Sequence, residues 1–502
     1  MTWAPFVSAL IIMFFARHRP LLVRWTALAG AFVSLVASLY VYWAYDRTAA
    51  GFQFYEKFEL VPALGISYEL GLDGMSALMV LLTSIIIFAG AFASWTVKER
   101  SQEFYALLLL LVTGVYGVFV SLDLFIFFLF YEIAVLPMYL LIGIWGSSGY
   151  VKPQGIFGWA MGRTGVGTKE YAAMKLTLYL LFGSAFILVG ILALYVVGGS
   201  RSFSFLTFQA MTFDPVLQSW VFLAFYIGFG ILAAIWPFHT WSPDGHASAP
   251  TAVSMLHAGV LMKLGAYGVV RLGMGLLPDA SVEWAWLVGA IACINIVYGA
   301  LSALAQTDLK YVIAYSSVSH MGVVMLGAAT LTQQGLNGSV FQMFAHGIMT
   351  GLFFALVGLV YEKSHSREIF KMGGFGKMMP GIATAFTIGG LSSLGLPATA
   401  GFVAEFLTFL GAWGSAHSWW LFPAVLGAFL TSIYVLRVTR AIFWGPPSTD
   451  PHFQNLPDAQ GTEWAALGIL VFVLVLFGVM PSLAIAPIDT ATVPLLMRII
   501  GQ

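Results

Sequence analysis

Charged residues are scarce in this 502-residue chain: Asp, Glu, Lys and Arg make up 9% of it, whereas 60% is hydrophobic. Soluble domains carry about 25% charged residues, so the composition excludes an ordinary soluble fold. The formal net charge is zero, and nothing in that balance indicates nucleic-acid binding or a strongly charged partner. Apolar runs of about 20 residues recur along nearly the whole chain, each long enough to cross a bilayer. The chain is therefore predicted to be a membrane protein.

Cysteine is nearly absent. The single one, Cys293, lies in the apolar run IACINIV, where it is predicted to be a small core residue. One cysteine excludes an internal disulfide and cannot supply the thiolates of an iron–sulfur cluster. In the amino-terminal segment the basic ARHRP follows the apolar run 3–15, whereas a cleavable signal places its positive region first. We expect this run to be a membrane helix.

Hydropathy predicts about fourteen membrane helices, so the fold class is an all-α polytopic membrane protein. The predicted spans centre on residues 3–16, 24–45, 74–97, 104–121, 122–146, 171–198, 217–240, 248–274, 283–305, 310–331, 340–362, 378–411, 419–444 and 463–482. The apolar tail, 485–502, is expected to lie along the membrane interface or to lean on a partner. Residues 47–73 alternate in polarity between turn signals, as a small external hairpin would, and 444–462 form a Pro-rich loop. Neither segment is large enough for a catalytic domain.

Lys and Arg are distributed unevenly between the two sets of loops. Five belong to one set, and two more, Lys175 and Lys263, fall within spans. The other set holds fifteen: Arg17, Arg19, Arg24, Lys98, Arg100, Lys152, Arg163, Lys169, Lys310, Lys363, Arg367, Lys371, Lys377, Arg437 and Arg440. Because cytoplasmic loops carry an excess of positive charge, this side is predicted to face the cytoplasm, matrix or stroma. Both termini are predicted to face the opposite side, called external below.

The ionisable residues inside the predicted spans carry most of the functional information. An ionisable group at bilayer depth costs about 2.5–3.5 kcal/mol or more, so such residues usually mark ion or proton routes. The candidates are Glu132 in the fifth helix, Lys175 in the sixth, His239 in the seventh, His257 and Lys263 in the eighth, His320 in the tenth, His346 in the eleventh and Glu405 in the twelfth. Lys175 lies near the cytoplasmic end of its helix, where it alternatively serves only as an anchor.

Polar side chains recur at helical spacing in two of these helices. Gln342, His346 and Thr350 are spaced i, i+4 and i+8, and Ser316 and His320 repeat the spacing, so each set lines one helical face. These faces could hold a chain of water between the helices. Alternatively, each side chain only bonds a neighbouring helix. For two Glu, one Lys and three His in one bundle a proton relay is favoured, because burial brings such groups toward neutrality.

Prolines predict where the membrane helices are interrupted. Pro137, Pro237 and Pro397 lie within predicted spans, and a break at each would leave backbone carbonyls free. Such breaks are tolerated at membrane depth only where they face protein or a wet cavity.

Two local patterns resemble ligand sites and fail on inspection. GRTGVGTKE at 162–170 does not fit the phosphate-loop pattern, because its Lys follows Gly167 by two positions and no strand precedes it. HTWSPDGH contains His239, Asp244 and His246, but these spacings match no common metal motif. No metal site is expected.

Five stretches, taken in order, resemble the antiporter-like membrane subunits of respiratory complex I, and among these the chain 4, or M-type, subunit. They are FYEIAVLPMYLLIG, PFHTWSPDGHASAPTAVSMLHAGVLMKLGAYG, QTDLKYVIAYSSVSHMG, HGIMTGLFFALVGLVYEKSHSREI and GLPATAGFVAEF. The resemblance runs from about LDGMS at Asp73 to about FWGP at Pro446, and the ordered set of motifs is highly specific.

The resemblance implies a fold with two inverted five-helix repeats, spans 4–8 and 9–13, in which helices 7 and 12 are broken. It divides the chain into 1–103, the first three helices with the external hairpin; 104–274, the first half-channel; 283–444, the second half-channel; and 445–502, a cytoplasmic loop, helix 14 and the tail. Each repeat would form half of a proton path.

The resemblance also implies roles for single residues. Glu132 matches the family's fifth-helix glutamate, Lys263 its central eighth-helix lysine and Glu405 its twelfth-helix exit residue. His320 and His346 match connecting histidines. Together they would form a buried Glu/Lys/His proton relay.

By the same resemblance, the chain would be a non-redox, proton-pumping subunit in the membrane arm of an NADH:quinone oxidoreductase. Its partners would be other membrane-arm subunits, the lipid bilayer and protons. The chain has no cofactor motif of its own, so NADH, FMN and iron–sulfur clusters are expected in partner subunits. The expected location is an energy-converting membrane, with the bacterial inner or plasma membrane first.

One position departs from the family pattern. The family carries a lysine on the broken seventh helix, five residues before the Pro of P-x-H-x-W, and this lysine pairs with the fifth-helix glutamate. Counting back from Pro237 gives Leu232, and Ala234 replaces the proline that usually follows the lysine by two residues. Either another group acts on Glu132, or the first half-path is altered or silent. The candidate substitutes are Lys175, His239 and His257.

Other functions stay open at this point. The same fold occurs in multisubunit cation/proton antiporters, and a related variant is the membrane arm of a ferredoxin- or hydrogenase-linked complex. A third hypothesis is a structural arm subunit that no longer pumps. Leu232 argues for that hypothesis, whereas Lys263 and Glu405 argue against it.

Overall fold

The computed structural model describes residues 1–16, 19–49, 51–148 and 166–501, which form a helical bundle. Its membrane helices, in chain order, are α1 Trp3–Phe15, α2 Pro20–Ala44, α3 Gly74–Ala93, α4 Ser101–Val120, α5 Leu124–Trp145, α6 Lys169–Val196, α7a Pro215–Leu232, α7b Trp241–Ser248, α8 Thr251–Met274, α9 Pro278–Ala305, α10 Leu309–Ala329, α11 Gln333–Ser364, α12a Pro380–Ser393, α12b Ala400–Gly414, α13 Ser418–Trp444 and α14 Thr462–Val479. The predicted fourteen spans are confirmed, and so are the breaks in the seventh and twelfth. The break predicted at Pro137 is wrong, because α5 continues through this proline as one helix. Three of the basic loop residues lie outside the described residues: Arg17, Lys152 and Arg163. The first part of GRTGVGTKE, residues 162–165, also lies outside them.

Burial separates the central helices from the peripheral ones. The most apolar stretches of α8 and α11 are 100% buried within the protein, whereas that of α13 is 33% buried. A helix that is apolar all round is buried in a large core or faces lipid. The centre of the bundle, where α8 and α11 lie, is therefore the place where ionisable side chains are shielded from both water and lipid.

The tail forms one more helix, α15 (Ser482–Ile500). It is long and apolar enough to cross a membrane, but its contacts are with the external ends of other helices. The hydroxyls of Tyr45, just after α2, and Thr490 are 2.7 Å apart, and Asn337, in the first turns of α11, donates to Asp489 over 2.7 Å. α15 therefore packs across the external ends of α2 and α11, and its position at the membrane interface stays a prediction.

The predicted external hairpin is present. β1 (Gln53–Val61) pairs antiparallel with β2 (Ile66–Leu72). Gly65 closes the turn with φ +68°, and a Cβ there would lie 2.1 Å from a backbone carbonyl oxygen, so only glycine fits. β2 is fixed to the bundle because the Ser67 amide donates to the Asp123 carboxylate over 2.9 Å.

The break in the seventh helix is stabilised by side chains from its surroundings. α7a ends at Leu232, and the chain resumes helical structure as α7b at Trp241. The Trp241 indole donates to the carbonyl of Ile231 over 2.9 Å, and the amide of Trp236 donates to the Asn295 side chain of α9 over 2.9 Å. Backbone groups freed by the break are thus satisfied inside the protein, which is the condition for interrupting a helix at membrane depth.

The break in the twelfth helix lies next to a candidate residue. Between α12a and α12b, Gly395 has φ +74° and Ala398 has φ +72°. A Cβ on Gly395 would lie 3.1 Å from the carboxylate of Glu405. The left-handed turn therefore brings the broken backbone close to this acid, with no side chain between them.

The two five-helix groups, α4–α8 and α9–α13, share a local arrangement with opposite orientation. The amino termini of α5 and α10 are each capped by an aspartate. At the first junction the Leu124 amide donates to the Phe203 carbonyl over 2.8 Å, and at the second the Leu309 amide donates to the Arg367 carbonyl over 2.8 Å. The first junction is on the external side and the second on the cytoplasmic side, as inverted repeats require. The predicted unit boundaries, 104–274 and 283–444, stay a prediction.

Candidate functional site

Lys263 lies at the centre of the site because α8 changes its backbone pattern there. Residues 257–261 form a π-helical turn, in which the amide of Met262 donates to the carbonyl of His257. This shift leaves the carbonyl of Ala258 without its helical donor. The Lys263 ammonium, on a side chain with no exposed surface, donates to that carbonyl. A local defect of this kind, frequent at functional sites, thus supplies the buried lysine with a partner that carries no charge.

A row of polar side chains extends from Lys263 to Glu405. Lys263 Nζ is 2.7 Å from His346 Nδ1, and the rings of His346 and His320 are 5.2 Å apart. His320 Nδ1 is 3.2 Å from the Glu405 carboxylate. All four residues are at most 5% exposed. The structure thus brings together four of the eight predicted site residues, from α8, α11, α10 and α12b.

His320 can take two hydrogen-bonding states at one nitrogen. Its Nδ1 lies 3.2 Å from the carboxylate of Glu405 and 3.3 Å from the amide nitrogen of Gln342, while its Nε2 lies 3.1 Å from the hydroxyl of Ser393. A protonated Nδ1 donates to the carboxylate, whereas an unprotonated one accepts from the amide. The site of the proton therefore decides which neighbour His320 binds.

Glu132 is half-buried and has no cation beside it among the described residues. One of its carboxylate oxygens is buried without a hydrogen-bond partner in the part of the chain that the structure describes, and the hydroxyl of Ser184 on α6 lies near it. Lys175 is nine residues from Ser184 on the same helix, about 13.5 Å along the axis. Its ammonium binds Asp244 over 2.7 Å, and Tyr311 also donates to that carboxylate, over 3.0 Å.

The two histidines named as substitutes are occupied elsewhere. His257 stacks on Trp241 with ring centres 5.2 Å apart, and its ring centre is 4.1 Å from that of His246. The ring of His239 packs edge-on against Tyr298 at 4.8 Å. His246 and His257 connect α7b with α8 beside Lys263, so they extend the central row rather than reach toward the fifth helix.

Lys310 is more deeply buried than its count among the basic residues of the cytoplasmic loops predicts. It lies in the first turn of α10, at the start of the predicted span 310–331, and is 4% exposed. Its ammonium donates to the Ala249 carbonyl over 2.9 Å and has no carboxylate partner within salt-bridge distance in the described residues. The adjacent Asp308 is bound instead by Arg367, over 3.1 Å. The capping aspartate in QTDLKY was the available signal that a helix, and not a loop, begins here.

Arg271 is one of the five basic residues counted on the external side, and it lies near the end of the predicted span 248–274. It lies in the last π-helical turn of α8, where it binds Asp73 over 2.5 Å, Tyr267 over 3.1 Å and Ser76 over 3.2 Å. Asp73 and Arg271 line an external cavity of about 440 Å³, together with Phe52. The helix that carries Lys263 therefore ends in a second polar cluster that opens outward.

The residues of HTWSPDGH do not form a common site. His239 packs on Tyr298, Asp244 binds Lys175, and His246 lies 3.3 Å from the sulfur of Met262. Within residues 1–16, 19–49, 51–148 and 166–501, no group of three or more His, Cys, Asp or Glu side chains could hold a metal ion. Cys293 is buried and unpaired.

Comparison with known families identifies the chain. The model of a family described as NADH:quinone oxidoreductase/Mrp antiporter, TM, matches residues 161–431, more than half of the sequence. The chain belongs to the NADH:quinone oxidoreductase/Mrp antiporter family. Among its relatives, NAD(P)H-quinone oxidoreductase chain 4-2 of Synechocystis sp. is 37% identical over 92% of this chain and 81% of its own length. NAD(P)H-quinone oxidoreductase chain 4 2 of Thermosynechococcus vestitus is 36% identical over 100% and 92%.

Solved structures share the fold of this chain over nearly its whole length. A chain of respiratory complex I from Thermus thermophilus with bound NADH superposes with a TM-score of 0.87 at 28% identity, covering 99% of this chain and 98% of that one. A chain of the Mrp complex from Dietzia sp. superposes with a TM-score of 0.82 at 22% identity, covering 98% and 95%. The resemblance drawn from the motifs is therefore confirmed.

Proposed function

We propose that this chain translocates protons as an antiporter-like subunit in the membrane arm of a complex I-type NADH:quinone oxidoreductase. The observation that carries the proposal is the buried row Lys263, His346, His320 and Glu405. Each of its four members lies within 3.2 Å of a neighbour, and the widest step is a ring-to-ring separation of 5.2 Å that one water molecule can bridge. Full-length similarity to chains named NAD(P)H-quinone oxidoreductase chain 4 supports the assignment to such an enzyme.

Protons enter from the cytoplasmic side in this proposal. Lys175, Asp244 and Tyr311 form a half-exposed hydrogen-bonded group near that surface, and Lys310 lies behind it, buried. The Ala249 carbonyl that accepts from Lys310 also accepts from Ser254, which in turn donates to the carbonyl of His246. Lys310 therefore stands between the surface group and the histidine beside the central lysine.

The central row then carries the proton across the middle of the bundle. Lys263 shares a hydrogen bond with His346 Nδ1, so loss of a proton from the ammonium and its gain by the imidazole need no large movement. From His346 the proton reaches His320. A protonated His320 turns its hydrogen bond from Gln342 to Glu405, which attracts the charge and accepts the proton.

Glu405 releases the proton to the external side. It lies in α12b, beyond the break at Gly395, so its carboxylate faces backbone that has no helical partners of its own. The carboxylate loses its proton when His320 is protonated again, because a positive charge 3.2 Å away favours the ionised carboxylate.

The energy for this movement comes from other subunits. Changes in charge or conformation in neighbouring membrane-arm subunits reach the central row and alter the proton affinity of Lys263 and then of Glu405. Electron transfer takes place in partner subunits that hold NADH, FMN and iron–sulfur clusters. This chain supplies the proton path and no redox centre.

The test is proton pumping by the intact complex in liposomes, measured per electron pair. Lys263→Met and Glu405→Gln should each lower the pumping stoichiometry and the coupled quinone-reduction rate. Lys98→Gln, which neutralises an exposed cytoplasmic lysine, is the matched control and should change neither. An unchanged stoichiometry in the Lys263→Met/Glu405→Gln double variant, with the complex assembled, would refute the pumping role.

A second function in the same family is a subunit of a multisubunit cation/proton antiporter. The description of the matched family supports it, because that description names the Mrp antiporter beside NADH:quinone oxidoreductase. Purification decides between the two. Redox subunits that co-purify in fixed ratio with this chain support the first function, whereas a complex that lacks them and exchanges cations for protons supports the second.

A further inference from the structure

A groove of about 770 Å³ opens on the cytoplasmic face beside the end of α13. Its walls are residues 369–372, which follow α11, the last turns of α13, and residues 445–449 of the Pro-rich loop. The amide of Ser448 donates to the carbonyl of Gly373 over 3.2 Å, so the loop is tied to the opposite wall. The groove belongs to neither the proton row nor the external cavity.

The groove is lined by three cations. Arg437 and Arg440 lie one turn apart on α13, and Lys371 projects from the opposite wall. Glu368 binds Lys371 over 2.7 Å at the exposed rim, and no carboxylate lines the groove itself among the described residues. Two positive charges therefore remain uncompensated at the membrane boundary.

Arg437 has a donor without an acceptor. One terminal nitrogen of its guanidinium donates to the carbonyl of Gln306 over 2.9 Å, but its Nε is buried and has no hydrogen-bond partner in the described part of the chain. A buried N–H of a charged group costs free energy unless an acceptor binds it. Guanidinium groups pair favourably with phosphate oxygens, which accept from two of their nitrogens at once.

An apolar strip continues from the groove into the membrane. Along α13 a row of large side chains is exposed on one face: Phe422, Val425, Leu426, Phe429, Ile433 and Leu436. The fifteen residues from the first to the last of these span about 21 Å along the helix axis, more than half of the ~30 Å hydrocarbon thickness. Ile433 and Leu436 also line the groove, so the charged and the apolar surfaces meet.

We infer that this groove binds an anionic phospholipid, with its phosphate between Arg437, Arg440 and Lys371 and its acyl chains along α13. The cations lie at the cytoplasmic side, where basic pockets between membrane helices bind acidic head groups. The apolar strip distinguishes a lipid from a free anion, because inorganic phosphate would use only the charged end. The site is independent of proton translocation.

The experiment compares lipid retention by the purified complex. Wild type, the Lys371→Gln/Arg440→Gln variant and a control, Lys98→Gln/Lys377→Gln, are delipidated in mild detergent and equilibrated with phosphatidylcholine that contains a minor fraction of phosphatidylglycerol. Bound lipid is then quantified by mass spectrometry. All four substituted side chains are exposed on the cytoplasmic side, so each variant should fold, and the two pairs differ only in whether they line the groove.

We expect wild type and control to retain phosphatidylglycerol several-fold above its share of the mixture, and the Lys371→Gln/Arg440→Gln variant to lose at least half of that enrichment. Excess inorganic phosphate should leave the wild-type enrichment in place. Equal enrichment in all three proteins would overturn the inference. Displacement by inorganic phosphate would reassign the groove to a free anion, and loss of a neighbouring subunit from the variant would reassign it to a protein contact.

Discussion

Glu132 should matter less to coupling in this protein than Lys263 does. We predict that Glu132→Gln slows coupled quinone reduction less than tenfold, whereas Lys263→Met removes most of the coupled rate. The reason is that the described residues place no cation beside Glu132, since Lys175 binds Asp244 over 2.7 Å. A carboxylate whose surroundings do not change charge during turnover has little influence on proton transfer along the central row.

The size of the effect follows from distance. A lysine ammonium about 5 Å from the carboxylate would interact with it by roughly 3 kcal/mol at an effective dielectric constant of about 20. Lys175 is displaced by about 13.5 Å along α6, where the same expression gives roughly 1.2 kcal/mol, and its partner Asp244 cancels most of that. Less than about 1.4 kcal/mol corresponds to less than a tenfold change in rate.

Leu232→Lys turns this estimate into a double-mutant cycle. The rings of Phe127 on α5 and Phe229 on α7a are 5.9 Å apart, and both helices run from the external side inward. Glu132 lies five residues beyond the first ring and Leu232 three beyond the second, so their depths differ by only about 3 Å. In the Leu232→Lys background, Glu132→Gln should therefore cost up to about a hundredfold, the equivalent of roughly 3 kcal/mol.

The assay is coupled quinone reduction and proton pumping in liposomes, with Leu232→Met as the control for size without charge. The reasoning fails if Glu132→Gln in the natural background reduces coupled turnover as much as Lys263→Met does. It also fails if Leu232→Lys, assembled in the complex, leaves the effect of Glu132→Gln unchanged. Either result would mean that another group already acts on this carboxylate.

Three further predictions concern other parts of the site. Lys310→Met should lower pumping by about tenfold or more, since it removes a proton carrier. Lys310→Arg should keep the structure without restoring the pumping rate. Equal pumping rates in wild type and both variants would exclude Lys310 from the path. Asn295→Leu should lower the melting temperature by removing two buried hydrogen bonds, each worth about 0.6–1.7 kcal/mol in membranes; an unchanged melting temperature would contradict the account of the α7 break. Gly395→Val should cost about 1–2 kcal/mol of backbone strain. It should impair pumping by more than this loss of stability explains, because the valine side chain would displace Glu405. A stable variant with full pumping activity would refute that contact.

Much of the fold was predictable because its signals are local. Apolar runs of span length lie within single segments of sequence, and so do Pro237 and Pro397, which lie in the two breaks. The spans and the breaks in helices 7 and 12 could therefore be predicted directly. The spacing of Gln342 and His346, repeated by Ser316 and His320, placed two polar faces correctly. The resemblance then supplied Lys263 and Glu405 as the ends of the row.

Features that depend on tertiary packing were not predictable. The π turn that supplies a carbonyl to Lys263 changes the backbone hydrogen bonding of α8, but no residue of HAGVL marks such a turn in the sequence. Lys310 is the first residue of the predicted span 310–331, and only the position of Ala249 shows that its ammonium is enclosed. The pairing of Lys175 with Asp244 joins residues 69 positions apart, so its distance from Glu132 had to come from the structure.

The position of the row explains how this chain could pump without the missing lysine. Lys263 belongs to the first five-helix group, and the other three members belong to the second, so the row crosses from one repeat to the other without passing Glu132. Lys310 reaches the same point from the cytoplasmic side through the second group. A proton taken up at Lys310 needs only the second five-helix group and, from the first group, Lys263. Glu132 is then not an obligatory member of the path.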